Sequence, residues 1–279
     1  MSAKGAVLSE AFKSTPYWWE DAPPEDASSQ PLPEEAEIAI VGSGYTGLCC
    51  ALELAENGAK PVVIEAGPLG AGASTRSGAM VTGGQKLVVS GAIGGLDAER
   101  QARILEDAGE SLALMGERVV KYRLDADYFR YGRVILAHVP RHTKRLEQWA
   151  KLLSEHAGST VSVLGRPELA SEVGGKRYHG GLLIEDYGGL HPAKYHRALR
   201  EAGATAAPSW SRMLKSSISL MRGRPFGCAR SEARCGRVRS WSAQTAIPIG
   251  SCHIFIEGSC QSLPMWRRLS LCPRAWQKP

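Results

Sequence analysis

The chain lacks most of the features that would take it out of the globular class. No run of about 20 apolar residues occurs, so nothing has the length of a membrane-spanning helix. The opening MSAKGAVLSEAFKST has no apolar stretch of the kind a secretory signal needs. Without such a signal a disulfide framework is not expected. None of the tail cysteines stands in a CxxC pair, and Cys49 and Cys50 are adjacent, which argues against a zinc site or a redox dithiol. There is no internal repeat and no heptad. These absences leave a soluble, cytoplasmic protein as the expectation, with no membrane and no metal among its partners. Its 279 residues, 43% hydrophobic and 22% charged, suffice for one large domain or two modest ones.

A second set of absences is local. From Ala206 onward the chain has no Asp, no Asn and no Tyr, yet it holds four of the seven Trp. That segment has ten Arg and two Lys against Glu232 and Glu257, a net +10, so the +6 of the whole chain leaves −4 for the first 205 residues. Five of the seven cysteines lie there too. Neither a period of 2 nor one of 3.6 runs through it for any useful length. The basic balance is therefore a property of the tail, and it is weak ground for a nucleic-acid partner.

What precedes the tail is well patterned. Residues 1–33 are a polar, Pro-rich lead-in whose aromatic cluster, Tyr17, Trp18 and Trp19, is expected to pack onto the fold. EIAIV has the length and composition of a strand, YTGLCCALELAENG of a helix, and KPVVIE of a second strand, which together open a βαβ unit. The spacing of apolar residues predicts a long helix from Leu96 to Tyr122. DYFRYGRVILAHV reads as a strand pair and RHTKRLEQWAKLLSEHAG as a helix stopped by Gly158. RPELASEVG reads as a short helix, HGGLLIEDYGGLHP as strand then turn, and AKYHRALREAG as the start of a last helix. The fold class expected is α/β. A Rossmann-like dinucleotide-binding domain spans residues 34–95, a helical segment and partial α+β substrate domain spans 96–205, and 206–279 is an aberrant tail without regular structure.

The strongest chemical signal joins the first strand to the first helix. Gly42, Gly44 and Gly47 form G-x-G-x-x-G. The first glycine permits a tight turn, the second lets a pyrophosphate approach the backbone, and the third lets helix and strand pack closely. The helix start aims free N–H groups and the positive end of its dipole at the phosphates. Glu65 closes the second strand 18 residues beyond Gly47, placed to accept hydrogen bonds from an adenosine ribose. Cys49 and Cys50, on this helix, read as small core residues. The stretch GPLGAGASTRSGAMVTGGQKL then stays loop-like and rich in small residues, where an NAD enzyme usually continues into a helix. That favours the longer FAD over NAD, and an NAD dehydrogenase is the lesser alternative.

IVGSGYTG, VIEAG and GAGASTRSGAMVTGG together resemble the FAD-dependent oxidoreductases of the D-amino-acid-oxidase type. Within them the likeness is greatest to the γ-glutamylputrescine oxidase and glycine/sarcosine oxidase-like branch. It extends from the opening YWWEDAPP to YGGLHPAKYHRAL, roughly Tyr17 to Ala202. The resemblance implies an FAD domain assembled from separated segments and an inserted substrate domain with a mixed sheet. It implies oxidation of a small-molecule amine or amino acid by hydride transfer to flavin. Carried onto this sequence, Gly42, Ser43, Gly44, Tyr45, Thr46 and Gly47 would hold the diphosphate. Glu65 and Ala66 would meet the adenosine end, and Ser74, Arg76, Ser77 and Gly78 the pyrophosphate and flavin. The family often has Arg-Asn-Gly-Gly where this chain has Arg76-Ser77-Gly78-Ala79, so one amide and one glycine are missing from that contact. No catalytic residue is identified. His179, His191 and His196 are the candidate acid–base groups, but His191-Pro192 reads as a turn before a helix and His196 as part of that helix's polar face.

The tail has one further property. If the gene is read one base out of register there, neighbouring residues fix two bases of every straddling codon. Gln244 to Gly250 then permit N, G, Y, T, D, R, and consistent codons through Pro273 permit NGYTDRFLPYLHRRIVPVASYVAATEPLP. Working back to Glu232 permits GAVRARKVVVCT. That string resembles the same family. A frameshift near residues 202–215 is therefore expected. It makes an inactive, truncated remnant, holding only part of the ADP or FAD half-site, the alternative to an intact enzyme.

Overall fold

The computed structural model describes residues 9, 11–26, 38–175, 177–206, 213–215 and 253–255. It divides into two compact units, Met1–Arg76 with His196–Pro279 and, between them in sequence, Ser77–Tyr195.

The first unit is built on β1 (Ile38–Val41), α1 (Tyr45–Glu56) and β2 (Pro61–Glu65). Both strands are rich in Ile and Val, which suit a pleated sheet buried on both faces. They pair in parallel, Ile38 beside Pro61 and Val41 beside Ile64. Parallel neighbours need a crossover, and α1 supplies it. Leu48, Ala51 and Leu52 of α1 and Ile40 of β1 are completely buried. Each such large side chain contributes about 2 kcal/mol relative to an exposed one. Cys49 and Cys50 belong to the same buried set, as expected of small core residues.

The second unit holds β3 (Met80–Val81), α2 (Gln85–Val89), α3 (Ala98–Lys121), β4 (Phe129–Arg130) and β5 (Arg133–Leu136). It continues with α4 (His142–His156), β6 (Val161–Leu164), α5 (Arg166–Glu172), β7 (Gly181–Ile184) and β8 (Gly188–Gly189). Asp97 caps α3 by accepting the Arg100 N–H, and Arg118 and Lys121 stand in its last turn, where cations favour the dipole. Two small antiparallel sheets form, in the orders β5-β7-β6 and β3-β8-β4. Leu105, Leu146, Leu153, Leu182 and Ile184 make the centre of this unit's core.

One expectation is corrected here. Phe129–Arg130 and Arg133–Leu136 do not pair with each other. The N–H groups of Tyr131 and Gly132 both donate to the Tyr187 carbonyl, which carries β4 to β8 and β5 to β7. The chain crosses from one sheet to the other between the two strands.

The last helix, α6 (Pro192–Ala206), is followed by two more strands. β9 (Met213–Lys215) runs parallel to β2 and β10 (His253–Phe255) antiparallel to β1, giving the order β10-β1-β2-β9. At these two places the expectation of an unstructured tail fails. Backbone pairing to an open strand edge needs no hydrophobic period in the added segment. The rest of 207–279 lies outside the described residues.

Candidate functional site: the turn after the first strand

The turn from β1 into α1 leans on its glycines. Gly42 has φ +97°, a left-handed conformation, and a Cβ added to it would meet nothing within 4 Å, so the space beside it is open. A Cβ on Gly47 would lie 2.0 Å from the Gly42 carbonyl oxygen, so the helix touches the turn backbone to backbone. Gly44 begins α1 without a side-chain cap, and the first intrahelical bond runs from the Leu48 N–H to its carbonyl. That leaves the Thr46 and Gly47 N–H groups without intrahelical acceptors. The Tyr45 N–H donates to Ser74 Oγ at 3.1 Å, which brings the loop after β2 onto the helix start. An open cradle with free N–H groups at a helix start fits a diphosphate.

Ser43, almost completely buried, is fixed by Glu65. One carboxylate oxygen of Glu65 accepts the Ser43 N–H at 2.8 Å and its Oγ–H at 2.7 Å. The other accepts the Ala66 N–H at 2.8 Å and the Gly67 N–H at 3.2 Å. Burial alone would push this carboxyl up. The donors on Ser43, Gly67 and Ala66 outweigh burial and hold it below its ordinary value, so it is an anion that locks turn and strand end together.

Gly42 to Gly47, Glu65, Ala66 and Ser74 are thus drawn into one structure. Arg76 is anchored on its own loop and on the aromatic cluster. Its Nε–H donates to the Ala71 carbonyl at 3.0 Å and its guanidinium lies 4.6 Å from the centre of the Trp19 ring. The indole N–H of Trp19 donates to Thr75 Oγ1 at 2.9 Å, so this part of the aromatic cluster packs onto the fold as expected. Tyr17 does not; it is 72% exposed. Ser77 and Gly78 are exposed and open the second unit.

The three candidate histidines separate. His179 pairs with Arg166. His191 ends a turn before α6 and its Nδ1 accepts the Lys194 N–H at 3.1 Å, as the His-Pro reading implies. His196 differs from expectation: it is 3% exposed and does not lie on a polar face. Its Nε2 is 2.7 Å from the Ser43 carbonyl oxygen. Burial, then Arg200, holds it below its ordinary value, against the Ser43 bond, Glu65 and Glu25. The sequence did carry a sign of this. Pro192, His196, Leu199 and Gly203 fall at helical spacing on the buried stripe of α6.

The second unit has a separate cleft of about 370 Å³ whose lining includes Arg133, His138, His142, Arg145 and Trp149. None of the residues singled out above belongs to it. Among the described residues no helix is long and apolar enough to cross a membrane, and no group of His, Cys, Asp or Glu is arranged to hold a metal ion.

The family of FAD dependent oxidoreductases matches residues 37–207. The chain is similar to a probable oxidoreductase OrdL of Haemophilus influenzae, 30% identical over 61% of this chain and 39% of that one. It is similar to γ-glutamylputrescine oxidoreductase of Escherichia coli, 32% identical over 60% of this chain and 39% of that one. The matched part therefore spans well under half of these relatives. Among solved structures, the L-amino acid deaminase from Proteus myxofaciens shares the fold with a TM-score of 0.56 at 21% identity, over 67% of this chain and 40% of that one. Residues 37–207 are more than half of the chain, and with the Rossmann-like α/β fold they identify it: the chain belongs to the FAD dependent oxidoreductase family, whose cofactor is FAD.

Proposed function

We propose that the chain is an FAD-dependent oxidoreductase acting on a primary or secondary amine or an amino acid, with γ-glutamylputrescine-like compounds as the nearest substrate class. The observation that carries this is the glycine turn at Gly42–Gly47, open on one side and locked to Glu65 on the other. Gly42, Ser43, Gly44, Tyr45, Thr46 and Gly47 would hold the diphosphate through the N–H groups of Gly44, Thr46 and Gly47, those of Gly42, Ser43 and Tyr45 being engaged by Ile64, Glu65 and Ser74. Glu65 and Ala66 would hold the adenosine end. Ser74, Arg76, Ser77 and Gly78 would lie along the pyrophosphate and flavin. FAD, when bound, supplies a two-electron acceptor for oxidation of the carbon beside the amine nitrogen. The chain's own residues bind, orient and shield. In this reading residues 34–95 form the cofactor domain and 96–205 part of the substrate domain. The purified chain should show flavin absorption near the visible blue that a γ-glutamylated amine bleaches without oxygen. A colourless chain that takes up no FAD contradicts the reading.

A second reading has its own support. The family match stops at residue 207, and the curated relatives are more than twice as long as the matched part. Together with the family-like string in the alternative register, this supports a frameshift between residues 202 and 215. The chain would then be an inactive remnant retaining a partial ADP or FAD half-site. Resequencing the gene decides it: a single intact frame supported by independent reads overturns the frameshift. Flavin that is bound but never bleached by any amine favours the remnant.

A further inference from the structure

We infer that His196 is a positioning residue for the dinucleotide turn: as a neutral imidazole with its proton on Nε2, it fixes the Ser43–Gly44 peptide so that the Gly44 N–H is presented to an anionic diphosphate. This rests on the dinucleotide reading above. A carbonyl oxygen only accepts, so a contact of 2.7 Å between His196 Nε2 and the Ser43 oxygen requires the proton on Nε2. The described backbone has no cis peptide, and in a trans peptide the C=O and the following N–H point in opposite directions. Holding the Ser43 C=O therefore sets where the Gly44 N–H points. On the other side of the same residue Glu65 holds the Ser43 N–H and hydroxyl. Ser43 is anchored through three atoms, and the peptide that follows it has no freedom to rotate.

The imidazole is itself confined. Its ring lies 6.4 Å from that of Tyr45, at the first position of α1. Gly70 approaches so closely that a Cβ there would come within 3.1 Å of His196 Nδ1. The charged groups facing it are Arg200, further along α6, Glu65 at the end of β2, and Glu25, which is ion-paired to Arg200 at 2.6 Å. His196 stands 153 residues from Ser43, so α6 braces a turn that the local sequence alone would leave free to flip.

Three variants and one spectrum test this on the full chain, with ADP as the probe. His196→Phe keeps a ring and removes the donor. It should weaken ADP binding about three- to tenfold, as loss of one hydrogen bond predicts, and speed hydrogen exchange at the Gly44 and Tyr45 amides. His196→Gln restores an N–H donor at the Nε2 position and should recover most of both effects. His196→Leu should behave as the Phe variant. Equal losses in the Gln and Phe variants, or wild-type affinity and exchange in the Phe variant, overturn the inference. Should the Phe and Leu variants not fold, the ¹⁵N spectrum of the wild-type imidazole decides, because a proton on Nδ1 instead of Nε2 overturns it. Wild-type protein without ADP affinity overturns the dinucleotide reading and the role of His196 toward a diphosphate with it. The exchange rates and the tautomer then report separately on the Ser43 contact.

Discussion

Two turns in this chain bend the backbone the same way with different residues. In the turn after β1 the left-handed position belongs to Gly42, at φ +97°. In the turn that opens the second unit it belongs to Ala79, at φ +64°. A Cβ costs about 1–2 kcal/mol in that conformation. Gly42 avoids the cost and Ala79 bears it, at the place where the family often has a second glycine. The difference separates two kinds of departure from a family pattern. Where the backbone must touch itself, as between Gly47 and Gly42, the glycine is kept. Where the requirement is only a torsion angle, a side chain can stand at a tolerable cost.

Substitutions sharpen that contrast. Gly47→Ala should have the largest effect, since its Cβ would fall 2.0 Å from a backbone oxygen that cannot move without opening the turn. We expect a loss of about 3 kcal/mol in denaturant unfolding and no measurable dinucleotide affinity. Gly42→Ala should cost about 1–2 kcal/mol. Its Cβ meets no atom within 4 Å, so the loss would report the torsion alone. Ala79→Gly should do the reverse and stabilise the chain by up to about 1 kcal/mol, the relief being partly offset by glycine's entropy in the unfolded state. A destabilised Ala79→Gly would show that the alanine methyl group makes packing contacts that outweigh its strain.

Acid should loosen the first unit in two stages. His196 is held below 6.5 in the folded chain, so the unfolded chain takes up its proton first as pH falls. Its contribution is complete above pH 6.5 and is lost as pH falls toward the folded value. Glu65 is held below 4.5, so its contribution is complete above that pH and is lost as pH drops through its own folded value. His196→Gln should remove the first stage and Glu65→Gln the second, each read as a flatter plot of unfolding free energy against pH. Glu65→Gln should also cost about 1–3 kcal/mol at neutral pH, because a carboxamide keeps one acceptor oxygen and turns an NH2 donor toward the N–H groups the other oxygen accepted.

Local pattern made much of this fold legible. The βαβ unit follows from Ile- and Val-rich runs on either side of a helical segment, and α3 and α4 from apolar spacing, with Gly158 as the stop signal of α4. Long-range pairing was not legible. Phe129–Arg130 and Arg133–Leu136 flank Gly132 as hairpin strands would, but their partners lie some 50 residues away, beyond any turn chemistry. Val161–Leu164 is short and flanked by Ser and Thr, and it becomes a strand only because β7 offers an edge. The Gly42–Gly47 cradle was legible because a turn of that kind fixes both residue type and spacing. The burial of His196 was not read, although its place on the stripe with Pro192 and Leu199 signalled it. A histidine on a helix is ordinarily assigned to water, and only the distant Ser43 carbonyl explains its burial.

The central claim is that the turn after β1 holds the phosphates of an adenine dinucleotide. Calorimetric titration of the full chain with ADP, beside a Gly44→Val variant whose side chain would press on Ser74 and close the cradle, tests it most directly. The account predicts saturable one-to-one binding by the wild-type chain and none by the variant. Binding unchanged by the variant, or absent from both, would contradict it.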